Sequence, residues 1–477
     1  MIHDWKMSLY WRLPVYLQEV GVSLYARKLE KLYYAPGYEE HRQWLQSWRS
    51  WSLADILSWQ SQQLQYIVQV AATRVPYYRQ RWQHMGWQNV SSPADLHILP
   101  RLDKQEIRQN EESFLVEGVN PQSLWVERTS GSTGTSLRIH WPMAMLPKWW
   151  AMMEVTTRNV GGVAQEMPRA MMGGRPIVPG NTRSRRYWRF NSRWRQLYLS
   201  SYHISKETAP AYAGAIRAYG SQWITGYPSA IGALAEGALD AGVPPVPLRS
   251  AIVSGDTLTS NMRSGIEQFF QCKCFDSYGQ CEGVCMAMEC PYGRMHVVSS
   301  VGILEILRED GSPCAPGEIG EIVATGLMND AMPLVRYRLG DVAAWDEERH
   351  CPCGNVEPII RSIEGRMDDY LITEDGRKIG RLSTATKRSP SIHSSQIVQD
   401  RPGHAYLLVR PSNGYQTKHS NAVRDDIVER IGKFDIDIVE VAEIPKTDQG
   451  KTRLVVRLAE KPGSVERYAK LLRGMTI

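Results

Sequence analysis

Ser123-Leu-Trp-Val-Glu127 is separated by Arg128 alone from Thr129-Ser-Gly-Ser-Thr-Gly-Thr135, and the fold turns on how this junction is read. The first piece is a short apolar, strand-like run. The second is a loop of glycines and small hydroxyl residues, whose backbone can approach phosphates closely and present N–H and O–H donors to them. No Lys follows the second glycine, so the loop is not a P-loop. The plainer reading of the same residues is a Ser/Thr/Gly turn between strands.

Upstream of this junction, residues 1 to about 125 read as mostly helical. Trp59 to Arg81 carries Leu64, Ile67, Val68, Val70 and Ala71 at helical spacing, with Pro76 as a breaker. Downstream, short apolar runs such as Gln222-Trp-Ile-Thr-Gly226 and Ser250-Ala-Ile-Val-Ser-Gly255 alternate with helical stretches, which predicts an α/β architecture. From Gly302 to Thr325 the strands read as antiparallel, flanking the turn-rich Asp310-Gly-Ser-Pro-Cys-Ala-Pro-Gly317. The last ~110 residues make a smaller α+β unit. The expected division is 1–366 and 367–477, with the boundary at Arg366-Met-Asp-Asp369.

Composition sets the broad class. The chain has 477 residues, 43% hydrophobic and 22% charged, which is enough for a sizeable core in two or more domains. No apolar run is long enough to span a bilayer, so no transmembrane segment is expected. The opening Met1-Ile-His-Asp-Trp-Lys6 lacks the pattern of a secretory signal, and the expected compartment is the cytoplasm. A net charge of +6 suits anionic small molecules and does not by itself argue for nucleic acid. The 8 Cys read as free thiols or metal ligands.

Four further segments carry chemistry. Asp276-Ser-Tyr-Gly-Gln-Cys-Glu282 places an aromatic, a glycine and a carboxylate at a strand end, suited to stacking a base and holding Mg²⁺. Arg336-Tyr-Arg-Leu-Gly-Asp341 ends on a carboxylate able to accept ribose hydroxyls. Gly365-Arg-Met-Asp-Asp369 and Pro445-Lys-Thr-Asp-Gln-Gly-Lys451 complete the set. Each segment alone is also readable as a strand-end turn or a solvated loop.

In their order and spacing, from about Gln60 to Val456, these segments resemble the adenylate-forming superfamily. The resemblance implies that Thr129, Ser130, Gly131, Ser132, Thr133 and Gly134 handle the pyrophosphate end of ATP, together with Gly255 and Asp256 in the nucleotide site. It implies that Tyr278 and Gly279 supply the adenine stack, Glu282 the Mg²⁺ carboxylate and Asp341 the ribose grip, with Arg366 assisting. Asp368 would be the hinge, and Lys451 would bridge the substrate carboxylate and the α-phosphate. His203, Tyr227 and Ser254 are candidates to line the acid pocket. Nearest is the phenylacetate–coenzyme A ligase group, marked by Val75-Pro-Tyr-Tyr-Arg79, Ser201-Tyr-His203 and Cys351-Pro-Cys-Gly354. The Trp/Arg-rich opening, Gly173-Gly-Arg175 and Tyr187-Trp-Arg189 look most like members associated with capsule and exopolysaccharide gene clusters. The implied fold is a large α/β domain with mixed sheets and a helical N-terminal lobe, plus a small mobile C-terminal α+β domain.

Two positions depart from the family pattern. Cys281 stands where a Thr or Ser is usual, and a thiol donates hydrogen bonds more weakly than a hydroxyl. Leu339 stands where the ribose loop usually carries Thr. Cys290, His296, Cys351 and Cys353 are a donor set suited to tetrahedral Zn²⁺, and a structural zinc is what the resemblance implies; Cys285 is an alternative to His296. Free thiols with a surface His are the plainer reading. The Arg- and aromatic-rich stretch from Arg175 to Arg195 suits coenzyme A phosphates, an acidic carrier or RNA, and is otherwise a solvated, partly helical lobe with inward-packed aromatics. Nucleic acid is the less favoured of these.

The implied reaction is ATP-dependent activation of a carboxylic acid to an acyl-adenylate, followed by transfer to a nucleophile, with coenzyme A first in line. Amide or ester formation in capsule or natural-product biosynthesis is the alternative, and a decayed, non-catalytic scaffold is another. The acid and the oligomeric state are not legible.

Overall fold

The computed structural model describes residues 9–128, 137–179, 184–366, 371–374, 378–379, 391–412, 414–431, 434–446, 452–460, 468 and 472, with side chains omitted at 364–366, 378–379, 429–431 and 460. The N-terminal region is helical, as its periodicity predicts: Val15–Tyr33, Tyr38–Trp48, Leu53–Arg74 and Pro76–Arg81. The third of these begins six residues before the periodic run. A capping box joins Ser52 and Asp55 there and satisfies the first backbone donors. Pro76 does end that helix, and it also opens the next one at a first-turn position where its missing N–H costs nothing.

The centre is one 12-stranded sheet. From edge to edge its strands are Gly302–Leu307, Ile319–Gly326, Tyr337–Trp345, Ile359–Arg366, Met295–Val297, Met286–Glu289, Lys273–Gly279, Ser250–Ser254, Trp223–Gly226, Arg169–Met172, Gln196–Leu199 and Trp188–Asn191. Lys273–Gly279 through Gln196–Leu199 are parallel to one another. The six strands before Lys273–Gly279 in that order run antiparallel to their neighbours, including the expected Gly302/Thr325 pair.

Both faces of the parallel half are covered. Ala251 and Val253 face a cluster with Ile231, Leu234 and Phe269, which come from helices Pro228–Asp240 and Ser260–Phe270. Ile252, between them, joins Trp223 and Phe275 on the other face. Burial on both faces is why these strands read as apolar runs rather than alternating ones. Gly226 ends its strand at φ +143°, and a Cβ there would sit 2.0 Å from the Met172 carbonyl oxygen, so only glycine fits.

Beyond residue 391 a four-stranded sheet runs in the order Asp435–Glu440, His404–Pro411, Ile392–Arg401, Val455–Arg457. It mixes one antiparallel and two parallel pairings. Helix Thr417–Ile431 packs on one face through Val423 and Ile427, and Tyr468 and Leu472 cover the other. This is the α+β texture expected of that region.

The stretch from Arg175 to Arg195 differs from its expected partly helical form. Its described part holds the strand Trp188–Asn191, which turns through Arg195, at φ +49°, into Gln196–Leu199. The aromatics do pack inward. Tyr187 stacks on His203 and Tyr212, and Trp194 lies against Tyr33 and Trp150. Among the described residues, no helix is long and apolar enough to cross a membrane.

Candidate active site

In open parallel sheets, ligands collect beyond the carboxyl ends of the strands. Four adjacent parallel strands here end on Met172, Gly226, Ser254 and Gly279. The candidates Tyr227, Ser254, Gly255, Asp256, Tyr278 and Gly279 therefore line one edge. Gly255 leaves its strand at φ +92°, and Asp256 accepts from the Ser229 hydroxyl at the start of the neighbouring helix. Tyr227 donates its backbone N–H to Met172, and burial raises its phenol pKa above the usual value. His203 lies at the same end, with Nδ1 2.8 Å from the Ser200 hydroxyl and its ring stacked on Tyr187.

The nucleotide candidates are drawn together across the sheet. The Tyr278 hydroxyl donates to Asp341 Oδ2 at 2.7 Å. Asp341 lies directly opposite Arg366 in the antiparallel ladder, so the backbone brings these two candidates into register. Glu282 is buried and holds two partners, the Tyr337 hydroxyl at 2.9 Å and the Lys104 ammonium at 3.2 Å. A carboxylate oxygen is the donor type Mg²⁺ takes, and the Lys104 ammonium occupies that carboxylate in its place, so a bound Mg²⁺ would have to displace it.

Thr129 to Gly134, the expected hinge residue Asp368 and Lys451 lie outside the described residues, as does the Arg366 side chain. Their surroundings are described. Strands Trp125–Arg128 and Arg138–Trp141 pair antiparallel on either side of the glycine-rich loop. Lys446 pairs with Thr452, and its ammonium lies 3.3 Å from the Ser201 carbonyl oxygen, so the segment leading to Lys451 begins at the candidate acid pocket.

Lys104, Tyr337 and Lys446 escaped the sequence reading. Tyr337 and Lys446 lie inside segments singled out for other residues. Lys104 had only a helix-start signal, the Asp103/Glu106 capping box, and its partner is 178 positions away. The two departures also find places. Cys281 is exposed, whereas Leu339 is buried in the main core, so its apolar side chain packs inward.

Cys290, His296, Cys351 and Cys353 converge, their donor atoms all within 4.8 Å of one another. Cys290 Sγ is 3.6 Å from Cys351 Sγ, and Cys353 Sγ is 3.4 Å from His296 Nε2. A zinc tetrahedron with sulfur ligands has edges of about 3.8 Å, so the donor set fits the metal. His296 Nδ1 lies 3.3 Å from the Glu357 carbonyl oxygen, which favours a proton there and leaves the Nε2 lone pair facing the thiols. Cys285 is excluded from the cluster. It is fully buried, accepts from Gln280 Nε2, and burial pushes its thiol up to about 12.

The CapK C-terminal domain family matches residues 371–458. Along its length the chain is similar to Protein CapK of Staphylococcus aureus, 24% identical over 458 residues, covering 94% of this chain and 98% of that one. It is 25% identical over 339 residues to a phenylacetate-coenzyme A ligase of Escherichia coli (strain K12), covering 67% and 73% of the two chains. Among solved structures, 2-hydroxyisobutyryl-CoA ligase in its postadenylation state with 2-HIB-AMP shares the fold at TM-score 0.62 and 18% identity, covering 86% of this chain and 91% of that one. Sheet topology and these similarities agree in supporting an adenylate-forming ligase of the phenylacetate–coenzyme A ligase-like kind.

Proposed function

We propose that this ligase activates a carboxylic acid with Mg·ATP and passes the acyl group to the thiol of coenzyme A. In the first half, a carboxylate oxygen of the acid attacks the α-phosphorus in line; the bond to the bridging oxygen breaks and pyrophosphate leaves. In the second, the thiol gives up its proton and attacks the acyl carbon, a C–S bond forms, and AMP departs with the C–O electrons. The protein's contribution is positioning and charge stabilisation.

The carrying observation is the Tyr278–Asp341 hydrogen bond at the carboxyl end of the last parallel strand. Asp341 would grip the ribose, Tyr278 and Gly279 would hold adenine, and Gly255 and Asp256 would complete the nucleotide site. Glu282 would hold Mg²⁺, and Thr129 to Gly134 the departing phosphates. Lys451 and Arg366 would stabilise the α-phosphate charge, and His203, Tyr227 and Ser254 would face the acid. Residues 1–366 would form the ATP- and acid-binding domain and 367–477 a lid turning at Asp368. A structural Zn²⁺ in the cysteine–histidine cluster would hold one end of the antiparallel half without entering the chemistry.

The test is acid-dependent ATP–pyrophosphate exchange across a panel of aryl, acyl and amino acids, followed by coenzyme A-dependent AMP release. Exchange abolished by Asp341→Ala is expected. Absence of exchange with every acid, in protein that still binds ATP, would favour the non-catalytic scaffold.

A further inference from the structure

The N-terminal helix leaves an apolar stripe uncovered. On helix Val15–Tyr33, Tyr16, Leu17, Val20, Leu24 and Tyr25 are 39–65% exposed and Leu13, just before it, is 38% exposed, while Gln18, Ala26 and Leu29 form the buried face of the helix. Tyr16, Leu17, Val20 and Leu24 fall on one helical face and extend it for about 12 Å, with Tyr25 at its margin. An open groove of about 670 Å³ runs beside it, with Tyr16, Val20 and Leu24 on one wall and Phe190 and Arg193 on the other. Isolated exposed apolar residues are ordinary, but a contiguous stripe marks a surface that meets something.

The charges say what it meets. Arg12, Arg27, Lys28 and Lys31 flank the stripe and are exposed. The two carboxylates of the helix are turned to the sheet edge, Glu19 to Arg186 and Glu30 to Arg193. Among the described residues of this segment, the outward charge is therefore positive, from Arg12 just before the helix and from Arg27, Lys28 and Lys31 in its C-terminal half, around an apolar, Tyr-bearing strip. Two copies packed through this face would set like charges against each other in either helix orientation. An anionic lipid surface satisfies both features, taking the apolar side chains at the headgroup boundary and the cations among the headgroups.

We propose that the segment from Leu9 to Lys31 is a docking face for an anionic phospholipid surface. It does not span the membrane; the helix lies on it and holds the ligase there. Each cation near such a surface strengthens binding by roughly fivefold, so the attraction is strong at low salt and weak at high salt.

The experiment is flotation of the full chain with vesicles of phosphatidylcholine alone or with one-third phosphatidylglycerol, at low and 0.5 M salt. Binding to the anionic vesicles at least tenfold tighter than to the neutral ones, weakened by salt, is expected. Leu17→Glu with Leu24→Glu, and separately Arg27→Glu with Lys28→Glu, should each weaken it at least tenfold. Both pairs should leave the melting temperature and ATP–pyrophosphate exchange unchanged, since these side chains are exposed and remote from the active-site candidates. No vesicle binding, or binding indifferent to both pairs, overturns the proposal. A solution mass of two chains that Leu17→Glu with Leu24→Glu reduces to one would assign the face to a second copy instead.

Discussion

Removing the metal site tests the zinc reading on a quantity the structure supplies. Cys290 and Cys351 are 61 positions apart, so a metal between them closes a loop of that length in the unfolded chain. Treated as a cross-link, such a loop is worth about 4 kcal/mol. At roughly 2 °C per kcal/mol for a large domain, metal-free protein should melt some 5–10 °C lower. Cys351→Ser should produce most of that shift and lower bound zinc from one equivalent, as measured by elemental analysis and thermal melts with and without a strong chelator. Exchange activity per folded molecule should survive at low temperature, because a site closed by four protein ligands leaves no open position for chemistry. Protein purified without zinc that melts unchanged after Cys351→Ser would refute the assignment.

Lys451→Ala should slow acid-dependent pyrophosphate release by about a hundredfold or more while sparing consumption of supplied acyl-adenylate by coenzyme A; equal loss in both halves would indicate a folding defect instead. Lys104→Met removes the ammonium beside the buried Glu282 and should lower the exchange rate at least tenfold per folded molecule, with some fall in melting temperature from the carboxylate left without its cation; an unchanged rate at every Mg²⁺ concentration would exclude Lys104 from the reaction. Asp276 is raised to about 7 by burial, reinforced by the Glu289 carboxylate. In the unfolded chain it ionises near pH 4, so between about pH 4 and 7 the native state binds more protons and stability falls as pH rises, then levels off. Asp276→Asn should flatten that part of the melting-temperature profile, and an unaltered slope would refute it.

What the sequence made legible was local. Tyr278, Glu282 and Asp341 stand in short segments whose glycine and carboxylate spacing announces a strand end, and the fold brings them together. Long-range partners were not legible. Nothing around Lys104 points to a carboxylate in the antiparallel half, because the pairing exists only once the helical lobe packs on the sheet. The choice between His296 and Cys285 needed strand register. Pairing of His296 with Met288 sets the imidazole beside Cys290, while Cys285 points into the core. Trp188–Asn191 was missed as a strand because its turn, Ser192 to Arg195, has no glycine or proline; Arg195 carries the positive φ instead.

The Tyr278–Asp341 bond says more about this fold than its length suggests. Their strands are four spacings apart in the sheet order. In a flat sheet that separation is about 19 Å, yet the side chains meet at 2.7 Å. The antiparallel half must therefore curl back over its own core, which is where Cys285, Ala287, Tyr337 and Leu339 are buried together. Gly302 is part of what permits the curl. A Cβ there would lie 1.8 Å from the carbonyl oxygen of Val284, two residues past Glu282. Tyr278 comes from the last parallel strand and Asp341 from the antiparallel half, so neither half alone assembles the candidate nucleotide site. The buried Leu339 is then intelligible. At the base of this curl an apolar side chain holds the strand that carries Asp341 against the core, a role a hydroxyl would fill less well.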